Sequence, residues 1–276
     1  MTAHGREFRF GVVATPQEGG AAWQATARRV EQLGYSTLLM PDGLQLLSPL
    51  PSLALAAGAT GLRIGSFVLA APMRPPESTA WEAHSLSVLT DGRFELGIGA
   101  GLPTVQQATQ RFGLPYGSAG QRLLQVAETI DHVRELDGTE RHTPVLMATG
   151  GPKARELAAA KADIVTFAAG PLASRDEISA MVTDLRAHAG HRADDIELAI
   201  NLFVVGDDVP PQAARYIGAD AAALVAADSL TMLRGSAADM VDELRRRRDL
   251  LGTSYVTVSA AFSEELAPVV ERLTGQ

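Results

Sequence analysis

RIGSFVLAAPMRPPESTAWEAHSLSVLTDGRFELGIGAG, residues 63–101, is the stretch that decides the fold. It reads as a strand (Arg63–Val68), a proline-marked turn, an amphipathic helix (Glu77–Leu89), a tight turn, a second strand (Phe94–Ile98) and a glycine-rich loop. That is one complete βαβ unit. Two strands joined by a crossover helix run parallel, and helices then cover the sheet.

The same alternation extends in both directions. Upstream, Phe8–Val13 is a strand, and Ala21–Leu33 a helix in which Trp23, Ala27, Val30 and Leu33 recur at helical spacing. Gly34 closes that helix, Thr37–Met40 is a strand stopped by Pro41, and Pro51–Ala59 is a helix. Downstream, a helix carries Leu123, Ala127, Ile130 and Val133. The strands Val145–Ala148, Ile164–Phe167, Leu198–Val205 and Tyr255–Ser259 then alternate with the helices Lys153–Lys161, Arg175–His188, Ala237–Leu250 and Phe262–Leu273. Eight strand–helix alternations predict a closed TIM (β/α)₈ barrel, with an open doubly wound sheet as the alternative. At 276 residues the chain matches one barrel of about 250 residues, so a single domain over 1–276 is expected.

Two segments exceed the bare repeat. Leu102–Gly120, with its prolines, glycines, glutamines and Phe112, reads as a binding or covering loop. Asp207–Ser236 starts Asp-Asp-Val-Pro-Pro and turns alanine-rich, which reads as one or two extra helices, either a lid or padding.

Composition narrows the function. The hydrophobic fraction of 46% and charged fraction of 20% fit a soluble globular protein. No cysteine is present, which removes disulfides, thiolate metal sites and a cysteine nucleophile. Met1–Glu7 is short and polar, and no apolar run approaches the roughly 18 residues of a membrane span, so a cytoplasmic location is expected. A net charge of −8 argues against nucleic acid. The basic run Arg245–Arg248 reads as a solvated helix face.

In such a barrel the chemistry sits just past the C-terminal ends of the strands. Those positions hold no histidine: His4 is in the N-terminal tail, His84, His132 and His188 lie in helices, and His142 and His191 in connections on the opposite face. No carboxylate pair or metal-ligand spacing converges there, so no metal site is expected. The strand ends offer backbone instead. Gly97-Ile98-Gly99-Ala100-Gly101 fails as a dinucleotide fingerprint, because Leu102 stands where the third glycine belongs. Thr149-Gly150-Gly151-Pro152 places a proline at a helix start below two glycines, either an ordinary turn or a cradle for an anion or polar ring edge. Ala168-Ala169-Gly170 forms a similar turn, with Arg175 close enough in sequence to add charge.

From Phe8 to about Phe167 the chain resembles the luciferase-like monooxygenase family, most closely its F420-dependent oxidoreductase branch of actinobacterial type. The matching residues are Pro41-Asp42, Arg63 to Leu69, Arg74 with Pro76, Glu82-Ala83, Leu86, Leu89 and Gly92 through Gly101. The resemblance implies a non-prolyl cis peptide at Phe67–Val68 under the cofactor ring, with Ser66, Leu69 and Gly99 beside it. It also implies cofactor contacts from Asp42, from Thr149, Gly150, Gly151 and Pro152, and from Ala168, Ala169 and Gly170 near the phosphate, with Arg175 in support. Asp42 is the catalytic candidate. Three departures stand out: Gly43 and Pro75 replace histidines of the pattern, and Leu136–Thr143 is a short connection where relatives carry an insertion. The implied activity is hydride transfer between F420 and a small unsaturated or carbonyl substrate in a homodimer. The alternatives are an FMN-dependent monooxygenase and a cofactor-free binding or partner subunit.

Overall fold

A computed structural model describes residues 6–276, the side chains of Gln212 and Tyr216 excepted; His4 and the first five residues of the Met1–Glu7 segment lie outside the described residues. Eight barrel strands are present: β1 (Arg9–Val13), β2 (Thr37–Met40), β3 (Arg63–Ser66), β4 (Phe94–Gly99), β5 (Val145–Thr149), β6 (Ile164–Phe167), β7 (Glu197–Leu202) and β8 (Thr253–Ser259). They pair in parallel in the order β3-β2-β1-β8-β7-β6-β5-β4. β3 also pairs with β4, Ile64 opposite Phe94 and Gly65 opposite Glu95, so the sheet closes on itself. The fold is a TIM barrel, and closure sets aside the open sheet.

Eight helices surround it: α1 (Gly20–Gln32), α2 (Pro49–Ala57), α3 (Pro76–Leu89), α4 (Ala119–Asp137), α5 (Pro152–Lys161), α6 (Arg175–Ala189), α7 (Ala237–Leu251) and α8 (Ser263–Leu273). Each of α4, α6 and α7 starts at a serine that forms a reciprocal capping box, Ser118 with Gln121, Ser174 with Glu177 and Ser236 with Asp239. These satisfy first-turn amides that would otherwise lack partners.

Two strands depart from the sequence reading. The third stops at Ser66; the Phe67–Val68 peptide bond is cis, and Leu69–Ala70 resumes pairing beside Ile98 and Gly99. The seventh, read as Leu198–Val205, breaks at Phe203, because the Phe203 and Val204 amides both donate to Thr231 O of the insertion. Val204–Val205 then pairs with Met232–Leu233. The Asp207–Ser236 insertion carries two short helices, Pro211–Ile217 and Ala221–Ala226. The basic run needs a correction too. Arg247 is only 3% exposed and donates to Glu243, Leu230 O and Met232 O, so it ties the insertion to α7 instead of facing solvent.

The barrel interior is layered. Leu39, Leu146, Ile164, Ala199 and Tyr255 form its apolar middle. Below them, near the N-terminal strand ends, Glu95 Oε1 accepts from Arg9 and Arg63, both at 2.7 Å. Arg9 also forks onto Glu197, and its guanidinium lies 3.5 Å from the Tyr255 ring centroid. Burial pushes the Tyr255 phenol well above its ordinary value. This ionic plug closes the end opposite the site.

Outside the barrel, Asp137 ends α4 and accepts from Thr143 N at 2.6 Å, from Thr143 Oγ1 and from His84 Nδ1 at 2.7 Å. Burial alone would raise this carboxyl, but the bonds from His84 and Thr143 outweigh it and hold it below the ordinary range. A depressed carboxyl stabilises the fold above its unfolded value, about 3.9, and that contribution fades as pH falls through the folded value. The melting temperature is therefore expected to drop below about pH 4. Asp137→Asn should start lower at pH 6 and fall less steeply; thermal melts from pH 6 to 3 check this, and equal slopes would refute the assignment.

Candidate functional site

The sequence reading placed the chemistry at the C-terminal strand ends, and the structure opens two cavities there. Asp42, Phe67, Val68, Gly99, Gly150, Gly151, Pro152 and Ala168 line one of about 790 Å³. Its floor is the cis Phe67–Val68 segment; Leu102, Val105 and Leu123 add apolar wall from the covering segment and α4. Arg122 holds that segment in place, donating to Ala100 O at 2.8 Å and Gly117 O at 2.9 Å and stacking on Tyr116. The turn beneath it needs a glycine: Gly101 has φ 73°, and a Cβ there would lie 2.9 Å from Val105.

The floor is locked from below. Ser66 Oγ donates to Gly97 O at 2.8 Å and accepts from Gly97 N at 2.9 Å, so Ser66 is a buried clasp under the platform. Leu69 and Thr149 are likewise buried behind the wall. Ala169 and Gly170 line a small adjoining pocket with Phe167 and Asn201.

Asp42 reaches the cavity edge, but its side chain is 2% exposed and fully engaged. Arg74 donates to both its oxygens, at 2.6 and 3.0 Å, and Ala70 N donates at 3.1 Å. The carboxylate thus pins the chain on the far side of the bulge. At Gly43, a Cβ would lie 2.7 Å from the Gln45 carboxamide, which fills the space of the missing side chain.

Arg175 is not brought to this cavity. It donates to Asp228 at 2.9 Å and Glu243 at 3.0 Å, and it lines a separate charged cleft beside the insertion. Ser174 caps α6 beside that insertion, bridging to Ser229; the insertion supplies Asp228 and α7 supplies Glu243. The cation at the ring cavity is Lys153, in the first turn of the ten-residue helix α5; among the described residues it has no hydrogen-bond or ion-pair partner. There the helix N-terminus and an unpaired ammonium favour an anion.

The second cavity, about 770 Å³, sits above β1, β7 and β8 and shares Pro41 with the first. Sequence reasoning missed Asn201 on its wall, because it ran the seventh strand on to Val205. A period-two count from Glu197 through Ala199 places Asn201 inside the barrel top. Among the described residues no group of three or more histidines and carboxylates converges to hold a metal, and no helix is long and apolar enough to cross a membrane.

A closed barrel with an apolar cavity over the end of its third strand and a helix start beside it is the scaffold that the sequence resemblance implies. The family model described as luciferase-like monooxygenase matches residues 8–255, and the chain belongs to that family. The match extends the resemblance well past Phe167. An uncharacterized protein of Mycobacterium tuberculosis is 26% identical, covering 59% of this chain and 71% of its own length. The coenzyme F420-dependent tetrahydromethanopterin reductase of Methanopyrus kandleri superposes with a TM-score of 0.72 at 16% identity, over 97% of this chain and 98% of its own. The FMN-bound oxygenating constituent of 3,6-diketocamphane monooxygenase from Pseudomonas putida gives 0.68 at 13%, over 96% and 95%. At these identities the two structures share the fold.

Proposed function

We propose that this protein is an F420-dependent oxidoreductase that moves a hydride between the deazaflavin and a small unsaturated or carbonyl substrate. The observation that carries the reading is the fit of the first cavity to such a cofactor: an apolar platform at Phe67–Val68, with an unpaired Lys153 and a helix start at one end. Its volume of about 790 Å³ lies within the roughly 300–1,000 Å³ typical of cofactor sites. F420-dependent and FMN-bound proteins superpose on the barrel about equally well, so it is the sequence resemblance to the F420-dependent branch that favours F420 over FMN.

When bound, F420 supplies the hydride chemistry, and the protein supplies binding and orientation. Val68 and Gly99 support the ring face, Gly150 and Gly151 offer open backbone to its edge, and Lys153 with the α5 N-terminus takes the phosphate. Asp42 acts by fixing the bulge through Arg74 and Ala70. Of the turn after β6 only Ala168 borders this cavity, while Ala169 and Gly170 line the small separate pocket and Arg175 stays with Asp228 and Glu243.

If Lys153 holds the phosphate, Lys153→Ala should weaken F420 binding about fivefold to tenfold, as expected for one partly exposed charge-assisted contact. Affinity for the phosphate-free deazaflavin should not change. Fluorescence titration of both ligands against both proteins checks this; equal losses for the two ligands would remove Lys153 from the phosphate site.

A cytoplasmic homodimer of single-domain subunits completes the proposal. Trp81 and Leu89 on α3 are 67% and 78% exposed, and Val88 of the same helix is exposed too, apolar surface suited to a second copy. Trp81→Glu is expected to convert a dimer to a monomer in light scattering.

A further inference from the structure

We propose that the second cavity is the substrate compartment, that it admits neutral, mainly apolar carbonyl compounds or alcohols, and that Asn201 fixes their oxygen. The inference rests on the cofactor reading, since the compartment adjoins the ring cavity at Pro41.

Its wall is built from Trp23, Leu202, Phe203, Ile217 and Phe262. Among the described residues no Lys, Arg or His lines it, and the one charged residue there is Glu18, exposed at the mouth. An anionic substrate would leave water without a counter-charge and face a carboxylate, which is costly. A neutral apolar body loses nothing there.

Most polar side chains of the wall are already engaged. Gln17 donates to Thr15 Oγ1 at 2.7 Å, and Ser259 Oγ accepts from Ala261 N. Asn201 differs. By strand alternation it follows Glu197, which meets Arg9 inside the barrel, and Ala199, which packs in the apolar middle. The fully buried Thr257 donates its hydroxyl to Asn201 Oδ1 at 2.9 Å. That bond orients the amide and leaves its NH₂ group, a donor, for the cavity. A fixed donor in an apolar wall selects a ligand oxygen, because a ligand lacking one leaves the donor unpaired.

The test uses the protein's own reporter. The chain has two tryptophans, and Trp23 lines this cavity, so Trp81→Phe leaves Trp23 as the sole emitter. In that background the bicyclic ketone decalone is expected to change Trp23 emission saturably, and decalin carboxylate is expected to bind at least tenfold more weakly. Asn201→Leu should weaken decalone roughly tenfold while leaving the hydrocarbon decalin unaffected, the loss of one hydrogen bond. Asn201→Asp, which keeps the acceptor for Thr257 and removes the donor, should also lose the ketone. Carboxylate binding equal to the ketone's, unchanged ketone affinity in both Asn201 variants, or no ketone-dependent emission change overturns the inference. F420 binding, read in the same samples at the deazaflavin's own emission, reports on the cofactor reading separately.

Discussion

Gly97→Ala is expected to cost about 3 kcal/mol or more and to abolish tight cofactor binding. A Cβ at position 97 would lie 1.8 Å from Ser66 O, 2.7 Å from its carbonyl carbon and 3.1 Å from Val68 Cγ1. The first two neighbours are backbone, so the end of β3 or the middle of β4 has to move. Either movement breaks the paired Ser66–Gly97 hydrogen bonds that hold the platform from below. For a chain of this size the loss corresponds to a melting-temperature drop of roughly 6–12 °C. Gly19→Ala is the matched control, because nothing lies within 4 Å of a Cβ there and Gly19 lies outside the cavity. Thermal melts and F420 titration of the two variants check the contrast. A Gly97→Ala protein with normal stability and binding would show that Ser66 and Gly97 are not the clasp described.

Arg9→Met should also cost about 3 kcal/mol, at the other end of the barrel, and should leave the site intact. Glu95 is almost fully buried and would keep only Arg63, while Glu197 would lose its forked partner. Removing one member of a buried ion cluster leaves charge without compensation, which is why the loss exceeds that of a surface pair. The expected readout is a melting temperature lower by roughly 6–12 °C with F420 affinity unchanged. A variant that melts normally would mean that Arg9 adds little beyond its apolar stem.

Much of the fold was legible because the residues that fix it are local signals. The βαβ unit at residues 63–101, the helix-closing Gly34 and the strand-stopping Pro41 all lie within a few residues of what they determine. Closure was less legible, since Ile64 and Phe94 meet through pairing that periodicity does not encode. The seventh strand was overrun because its break depends on Thr231, far along the chain. The site shows the same division. Asp42, Phe67, Val68, Gly99 and the Gly150–Pro152 turn follow strand ends, and the barrel gathers them in one cavity. Arg175 was assigned by nearness in sequence, whereas its partners are distant in the chain, Asp228 in the insertion and Glu243 on α7. Arg247 was taken for a solvated charge because nothing in the basic run reveals the carbonyls of Leu230 and Met232 that bury it.

The proposal that the cavity lined by Phe67, Val68 and Lys153 at the start of α5 holds F420 makes one measurement decisive: titration of the purified protein with F420 and, separately, with FMN. Saturable quenching of F420 fluorescence at one equivalent per chain, with FMN binding more weakly, is the predicted result. Tight binding of FMN alone would contradict the F420 assignment, and binding of neither would contradict a cofactor site at this platform.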